Sequence, residues 1–226
     1  YVPASSGVGL YMDDWPQLLR VSQGSPLGTY RPGEALYLEL VFRLCGLTPW
    51  KLHAAQNLVW LATGCLLYLT LRRLGTPRLD SLGVTILFAY APHCSTCHFM
   101  SNATIVVLAM GLWLGSVLCC DQAVSGSGWR RRTWSLAGVA LVIASGLTYE
   151  LFLPLVPLQA LFFLARGGRN ALWLALALLL ALGALFWFKL QTSDRFAQGH
   201  SYLDLSSRSW LPSQLYFYLS VLKRAA

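Results

Sequence analysis

Ala171-Leu-Trp-Leu-Ala-Leu-Ala-Leu-Leu-Leu180-Ala-Leu-Gly-Ala-Leu-Phe-Trp-Phe-Lys-Leu190 is the stretch that decides what kind of chain this is. A helix rises about 1.5 Å per residue, so an apolar run of about 20 residues matches the ~30 Å hydrocarbon layer of a bilayer. This run holds one charge, Lys189, near its end. The rest of the 226 residues agrees with it: 56% are hydrophobic, 12% are charged and the mean hydropathy is +0.53. Soluble domains carry about twice that share of charge. Composition therefore points to an all-α polytopic membrane protein.

Working back towards the N-terminus, further apolar stretches alternate with polar ones. Leu151 to Ala165 turns back with Pro154 and Pro157 inside it, Trp134 to Tyr149 and Asn102 to Cys120 read as spans, and Leu79 to Pro92 is apolar but short. Trp50 to Leu71 is long enough to cross and is stopped by Arg72 and Arg73. Ahead of it, Leu36, Leu40, Val41 and Leu44 recur at helical spacing, with Glu39 and Arg43 four apart on the polar side. That pattern predicts an amphipathic helix in the membrane interface, ended near Gly46 and Pro49. Trp15 to Pro32 is rich in Gly, Ser and Pro and reads as an extramembrane loop with one short helix. Beyond the long span, a polar loop from Gln191 to Ser209 leads into a short apolar run, Leu211 to Leu222. The expected organisation is an external segment over 1–49 and a bundle of about six to seven spans over 50–226. No basic leader followed by an apolar run marks a cleavable signal. The chain reads as a fragment at both ends, opening at Tyr1 on the tail of a preceding span and stopping at Ala226 just after an apolar run.

Basic residues set orientation, because they accumulate on the cytoplasmic side. Alternating through the spans, one side receives Arg72, Arg73, Arg78, Arg130, Arg131, Arg132, Arg166, Arg169, Lys223 and Arg224 against Asp80 and Asp121. The other side receives seven basic and seven acidic residues, so the whole net charge of +8 lies on the face we take as cytoplasmic. These are short clusters flanking spans rather than a stripe on a soluble surface, which excludes nucleic acid as a partner.

The loops carrying Asp13 and Asp14, His93, Glu150, and Asp194 to Asp204 consequently face outside. Paired carboxylates beside an apolar span are costly to desolvate and need water, a partner or a task. Asp13 and Asp14 are the candidate catalytic residues, although Asp14 also fits an N-cap before Trp15, with Pro16 in the first turn and Gln17 completing a capping box.

Asp13-Asp14, Tyr30-Arg31-Pro32, Gly46-Leu47-Thr48-Pro49, His53-Ala-Ala-Gln-Asn57, Phe88 to Pro92 and Thr148-Tyr149-Glu150, in this order, resemble the membrane glycosyltransferases of the GT-C fold, in particular relatives of the protein O-mannosyltransferases. The resemblance departs from that family in its smaller number of spans and in lacking an acidic residue after Pro92. It implies a GT-C-like helix bundle that transfers a sugar, with inversion, from a polyprenyl-phosphate donor to a protein, lipid or glycan acceptor on the non-cytoplasmic face. A bacterial inner membrane is the expected setting, with other membrane subunits as further partners. Carried over, Asp13 is the general base. Arg31 holds the donor phosphate through its planar fork, or instead pairs Glu34 or Asp14. His53 and Asn57 share a helical face and bind substrate or hydrogen-bond between helices. Glu150 orients the acceptor or pairs Lys51 or Lys189. His200 and Asp204 belong to a solvated loop within reach of substrate.

No cofactor is expected from that reading. His93-Cys94-Ser95-Thr96-Cys97-His98 nevertheless contains Cys-x-x-Cys-His, which leaves open a covalent c-type haem at Cys94, Cys97 and His98, or a divalent metal held by His93, Cys94, Cys97 and His98. A disulfide loop or free thiols is the plainer alternative. Cys45, Cys65, Cys119 and Cys120 lie in or beside apolar helices and read as packing residues. Three functional classes thus remain: a glycosyl transferase, a non-catalytic membrane subunit of the same fold, and a haem-bearing electron-transfer protein.

Overall fold

A computed structural model of the chain describes residues 31–46, 48–90, 101–166 and 168–197. Asp13 and Asp14, the expected short helix at Trp15, the His93 to His98 loop, His200, Asp204 and the run from Leu211 to Leu222 lie outside the described residues. The chain falls into two compact units, Tyr1–Leu185 and Phe186–Ala226. The second is described only as the continuing last helix.

Among the described residues there is no strand. The helices are α1 (Pro32–Cys45), α2 (Pro49–Arg73), α3 (Arg78–Tyr90), α4 (Ser101–Ser125), α5 (Gly128–Thr148), a 3-10 turn (Glu150–Phe152), α6 (Leu155–Ala165) and α7 (Arg169–Ala197). Their ends follow local chemistry. Pro32 and Pro49 open α1 and α2, where a missing N–H costs nothing. Gly46 closes α1 at φ 61°, its N–H bonded to the Phe42 carbonyl at 2.8 Å, and Gly75 turns the chain after α2 at φ 90°.

Three helices are long and apolar enough to cross a membrane: Pro49–Arg73, Thr104–Ser125 and Arg169–Thr192. These three are found by length and composition among the described residues, where about six to seven crossings are expected over 50–226. α5 has 21 residues but opens on Arg130, Arg131 and Arg132. α3 and α6, with 13 and 11 residues, rise only about 20 and 16 Å, well short of the hydrocarbon layer.

Directions within the first unit follow from cross-helix contacts. α2 and α3 form an antiparallel hairpin, with Trp60 stacked on Phe88 at 4.9 Å. α2 runs parallel to α4: the Thr63 hydroxyl donates to the Val107 carbonyl at 3.2 Å and Arg73 reaches Asp121 at 4.0 Å. α4 and α5 are antiparallel, Ser145 donating to the Ala109 carbonyl at 2.8 Å. α6 lies parallel to α4, where Gln159 Nε2 donates to Ser116 Oγ at 3.1 Å. Hydrogen bonds of this kind join helices where apolar contact alone has little directional preference. The main core collects Val117, Cys120 and Ala123 of α4, Val142 of α5, Val156, Ala160 and Phe163 of α6, and Leu174, Ala175, Leu178 and Leu185 of α7.

Close approach of α4 and α5 depends on Gly138. A Cβ there would lie 2.6 Å from Cys120 Sγ and 3.5 Å from the Cys120 backbone nitrogen. Gly138→Val should therefore destabilise the bundle by about 1–3 kcal/mol through overpacking. Gly183→Val is the matched control, since Gly183 has no atom within 4 Å of its built Cβ. Unfolding titrations of the two variants that coincide would show that the α4–α5 contact is loose.

α1 differs from the sequence expectation in one respect. Leu36, Leu40 and Leu44 are 69%, 54% and 74% exposed, whereas Leu38 and Phe42, absent from the expected stripe, are buried against Leu52 and Ile105. The helix thus has two apolar faces, one packed on the bundle and one turned away from it. The Glu39–Arg43 ion pair forms at the expected spacing.

Candidate functional site

The site is built where α1 begins and α5 ends. Pro32 disfavours the helical region for the residue before it, and Arg31 accordingly adopts φ −128°, ψ 76° outside the helix. One residue further on, a Cβ on Gly33 would stand 2.5 Å from Thr148 Oγ1, 2.8 Å from the Thr148 nitrogen and 3.0 Å from the Leu147 carbonyl carbon. Two of these atoms are backbone and cannot yield, so only glycine lets the first turn of α1 lie on the last turn of α5. α5 itself stops at Thr148, with Tyr149 extended at φ −156°, ψ 133°. Pro154 explains the break: in a continuous helix it would have no N–H for the carbonyl of Glu150 and its ring would clash there.

This docking carries Arg31 onto Tyr149 and Glu150. Arg31 Nε donates to Glu150 Oε2 at 3.1 Å and Nη2 to Oε1 at 2.5 Å, a bidentate pair. Nη1 lies 3.6 Å from Glu34 Oε2, and the guanidinium carbon sits 4.1 Å from the centre of the Tyr149 ring. Burial opposes the Arg31 charge, yet the hydrogen bond and charge of Glu150, with Tyr149 and Glu34, hold its pKa above the ordinary arginine value. One guanidinium thus faces two carboxylates in a half-buried notch, with the exposed Leu36–Leu40–Leu44 stripe on the same short helix.

Arg31 and Glu150 are therefore brought together, in a pairing that sequence spacing does not reveal. Of the partners expected for Arg31, Glu34 is present at the longer distance; Asp14 lies outside the described residues. Glu150, expected to pair Lys51 or Lys189 if not substrate, takes Arg31. The two residues are 119 positions apart, and the only sequence signal for the pairing is that both fall on the same face of the alternating spans.

His53 is fully buried, with Nδ1 3.1 Å from Gln56 Oε1. The amide oxygen only accepts, so this contact calls for the Nδ1–H tautomer. Asn57 Nδ2 donates to the His53 carbonyl at 2.8 Å. These two bonds run along α2, because residues three and four apart share a helix face. Among the described residues, no group of three or more His, Cys, Asp or Glu side chains is placed to hold a metal ion.

The opposite end of the bundle is basic. Asp121 at the end of α4 takes an ion pair from Arg166 and a longer one from Arg73, and Arg131 Nη1 donates to Asn170 Oδ1 at 2.7 Å. No protein-family model, curated protein or solved structure matches the chain.

Proposed function

We propose that this chain is a GT-C-like polytopic membrane glycosyltransferase, of a bacterial inner membrane, which moves a sugar from a polyprenyl-phosphate donor to an acceptor on the non-cytoplasmic face. The observation that carries the reading is the Arg31–Glu150 clamp, set at the end of the bundle away from the arginine-rich turns and beside an exposed apolar helix stripe. A lipid-linked phosphate needs both elements: an apolar track for the prenyl chain and a charged fork for the headgroup. Arg31 already holds a carboxylate, so the arriving phosphate competes with Glu150 for it. In this reading the exchange delivers the donor and releases Glu150 to orient the acceptor hydroxyl, while Asp13 removes its proton. In this reading His53 and Asn57, near the start of α2, belong to the same end of the bundle.

The clamp also favours a second reading. A bidentate pair tying α1 to the end of α5 suits a non-catalytic subunit in which Arg31 is a latch. Sugar transfer from a polyprenyl-phosphate donor by membranes containing the protein separates the two. Transfer lost on replacing Asp13 and Asp14 together supports the enzyme, and no transfer by the wild type supports the subunit.

Orientation is tested independently. In a background without the native cysteines, Lys51→Cys should react with an impermeant thiol reagent on intact cells and Ser127→Cys should not, because both positions are exposed but belong to opposite ends of the bundle. Equal labelling at both would remove the outward-facing site.

A further inference from the structure

The turns at the basic end contain more than topology requires. Up to Leu185, the described helix ends there carry eight arginines, at positions 72, 73, 78, 130, 131, 132, 166 and 169, against Asp80 and Asp121. Arg73 and Arg166 share Asp121. Among the described residues Arg130, Arg131, Arg132 and Arg169 have no carboxylate partner.

A cleft of about 200 Å³ opens at this end, lined by one of these arginines, Arg131, with Ser135 of α5, by Asn170 and Trp173 of α7, and by the buried Ala123 of α4. α5 and α7 both begin at this end, with Gly128 and Arg169, so two helix N-termini add partial positive charge to that of the arginines. The volume is below the ~300–1,000 Å³ usual for a whole small-molecule ligand and suits one headgroup. Below the mouth, the lining turns apolar within two helical turns, at Leu174 and Ala177. On the outer flank of α7, Leu172, Leu176 and Leu180 are exposed at four-residue spacing. Trp129 and Trp173, 77% and 60% exposed, stand where indole rings settle at a membrane surface. A free phosphate would use Arg131 and leave this apolar track idle.

We propose that the α5–α7 cleft binds the headgroup of an anionic phospholipid of the cytoplasmic leaflet, with Arg131 and Asn170 on the phosphate and the acyl chains along α7. Basic clefts between membrane helices hold acidic headgroups in this way, and basic residues near the surface add to the attraction. The cleft lies at the end opposite the Arg31–Glu150 clamp, so its test and that of sugar transfer fail separately.

The test uses the full chain, purified and delipidated in neutral detergent, titrated with phosphatidylglycerol, phosphatidylcholine, glycerol phosphate or inorganic phosphate, and read as thermal stabilisation and by native mass spectrometry. Phosphatidylglycerol should bind saturably and at least tenfold more tightly than phosphatidylcholine, while the two soluble phosphates leave the melting temperature unchanged at matched concentration. Arg131→Gln should weaken phosphatidylglycerol at least tenfold; Arg78→Gln, which removes the same charge at the same end outside the cleft, should change it less than twofold. Asn170→Leu, which blocks the mouth and keeps every arginine, should match Arg131→Gln and replaces it if that variant does not fold. Equal losses in Arg131→Gln and Arg78→Gln would reduce the effect to diffuse surface charge and overturn the proposal. Equal binding of phosphatidylcholine, or full stabilisation by inorganic phosphate, would overturn it as well.

Discussion

If the proposed glycosyl transfer holds, Asp13→Asn should lower it by a factor on the order of 10²–10⁴ while the lipid-linked donor still binds. The amide keeps the size of the carboxylate and one acceptor oxygen but has no basic lone pair to take the acceptor's proton. A substituted base changes the barrier to the chemical step alone, so the loss should fall in turnover and leave donor affinity within a few-fold of wild type. The measurement is single-turnover transfer from a radiolabelled polyprenyl-phosphate sugar, paired with direct binding of the unlabelled donor. Asp14→Asn is the companion variant. If Asp14 caps the helix expected at Trp15, its replacement costs about 1 kcal/mol of stability and spares turnover. Full turnover in Asp13→Asn with none in Asp14→Asn would move the base to Asp14. Full turnover in both would remove the loop from the chemistry.

Arg31→Ala and Glu150→Gln should move donor binding in opposite directions. With the guanidinium gone the phosphate loses its fork, and donor affinity falls by about 2–3 kcal/mol, the lower range for a charge pair that keeps some access to water. With Glu150 neutral, the phosphate no longer displaces a carboxylate from the bidentate contacts at 3.1 and 2.5 Å, and the donor should bind more tightly. Stability tells the complementary story. A charge-assisted bidentate bond contributes about 1.5–3 kcal/mol when shielded, and the exposure of the pair, 28% and 34% by side chain, brings this nearer 1 kcal/mol. Both single variants should loosen α1 by a similar amount, and the double variant by little more than either, because they break one interaction. Weaker donor binding in Glu150→Gln would mean that the carboxylate supports the donor and does not compete with it. The latch reading predicts the stability changes with no donor binding in any variant.

Helix ends and the polarity of the bundle are legible in the chain itself. Arg72-Arg73 ends α2, Gly46 ends α1, Pro32 and Pro49 start their helices, and Glu39 meets Arg43, all as local spacing requires. The gathering of arginines at one end follows from counting alternate turns, and the Arg73–Asp121–Arg166 bridge agrees with that count. Each of these features depends on residues within about a helical turn of one another, or on a sum of charges, and both survive any rotation of the helices.

Partner choice does not survive it. Spacing selects Leu36, Leu40, Val41 and Leu44 as one apolar face; the bundle buries Leu38 and Phe42 instead and leaves the three leucines outside. Hydropathy alone does not distinguish an apolar face turned to lipid from one turned to protein, since both environments exclude water. Likewise Arg31 has Glu34 three residues away, and takes Glu150 with both of its better-placed nitrogens. That choice is made by the rotation and height of α1 on α5, which are set where Gly33 meets Thr148 with no room for a methyl group. By itself the sequence determined an all-helical, membrane-compatible chain with a charged polarity from end to end. Tertiary structure alone decided which side of each helix is buried and which charges meet, because contacts between residues over a hundred positions apart depend on packing that local period does not encode.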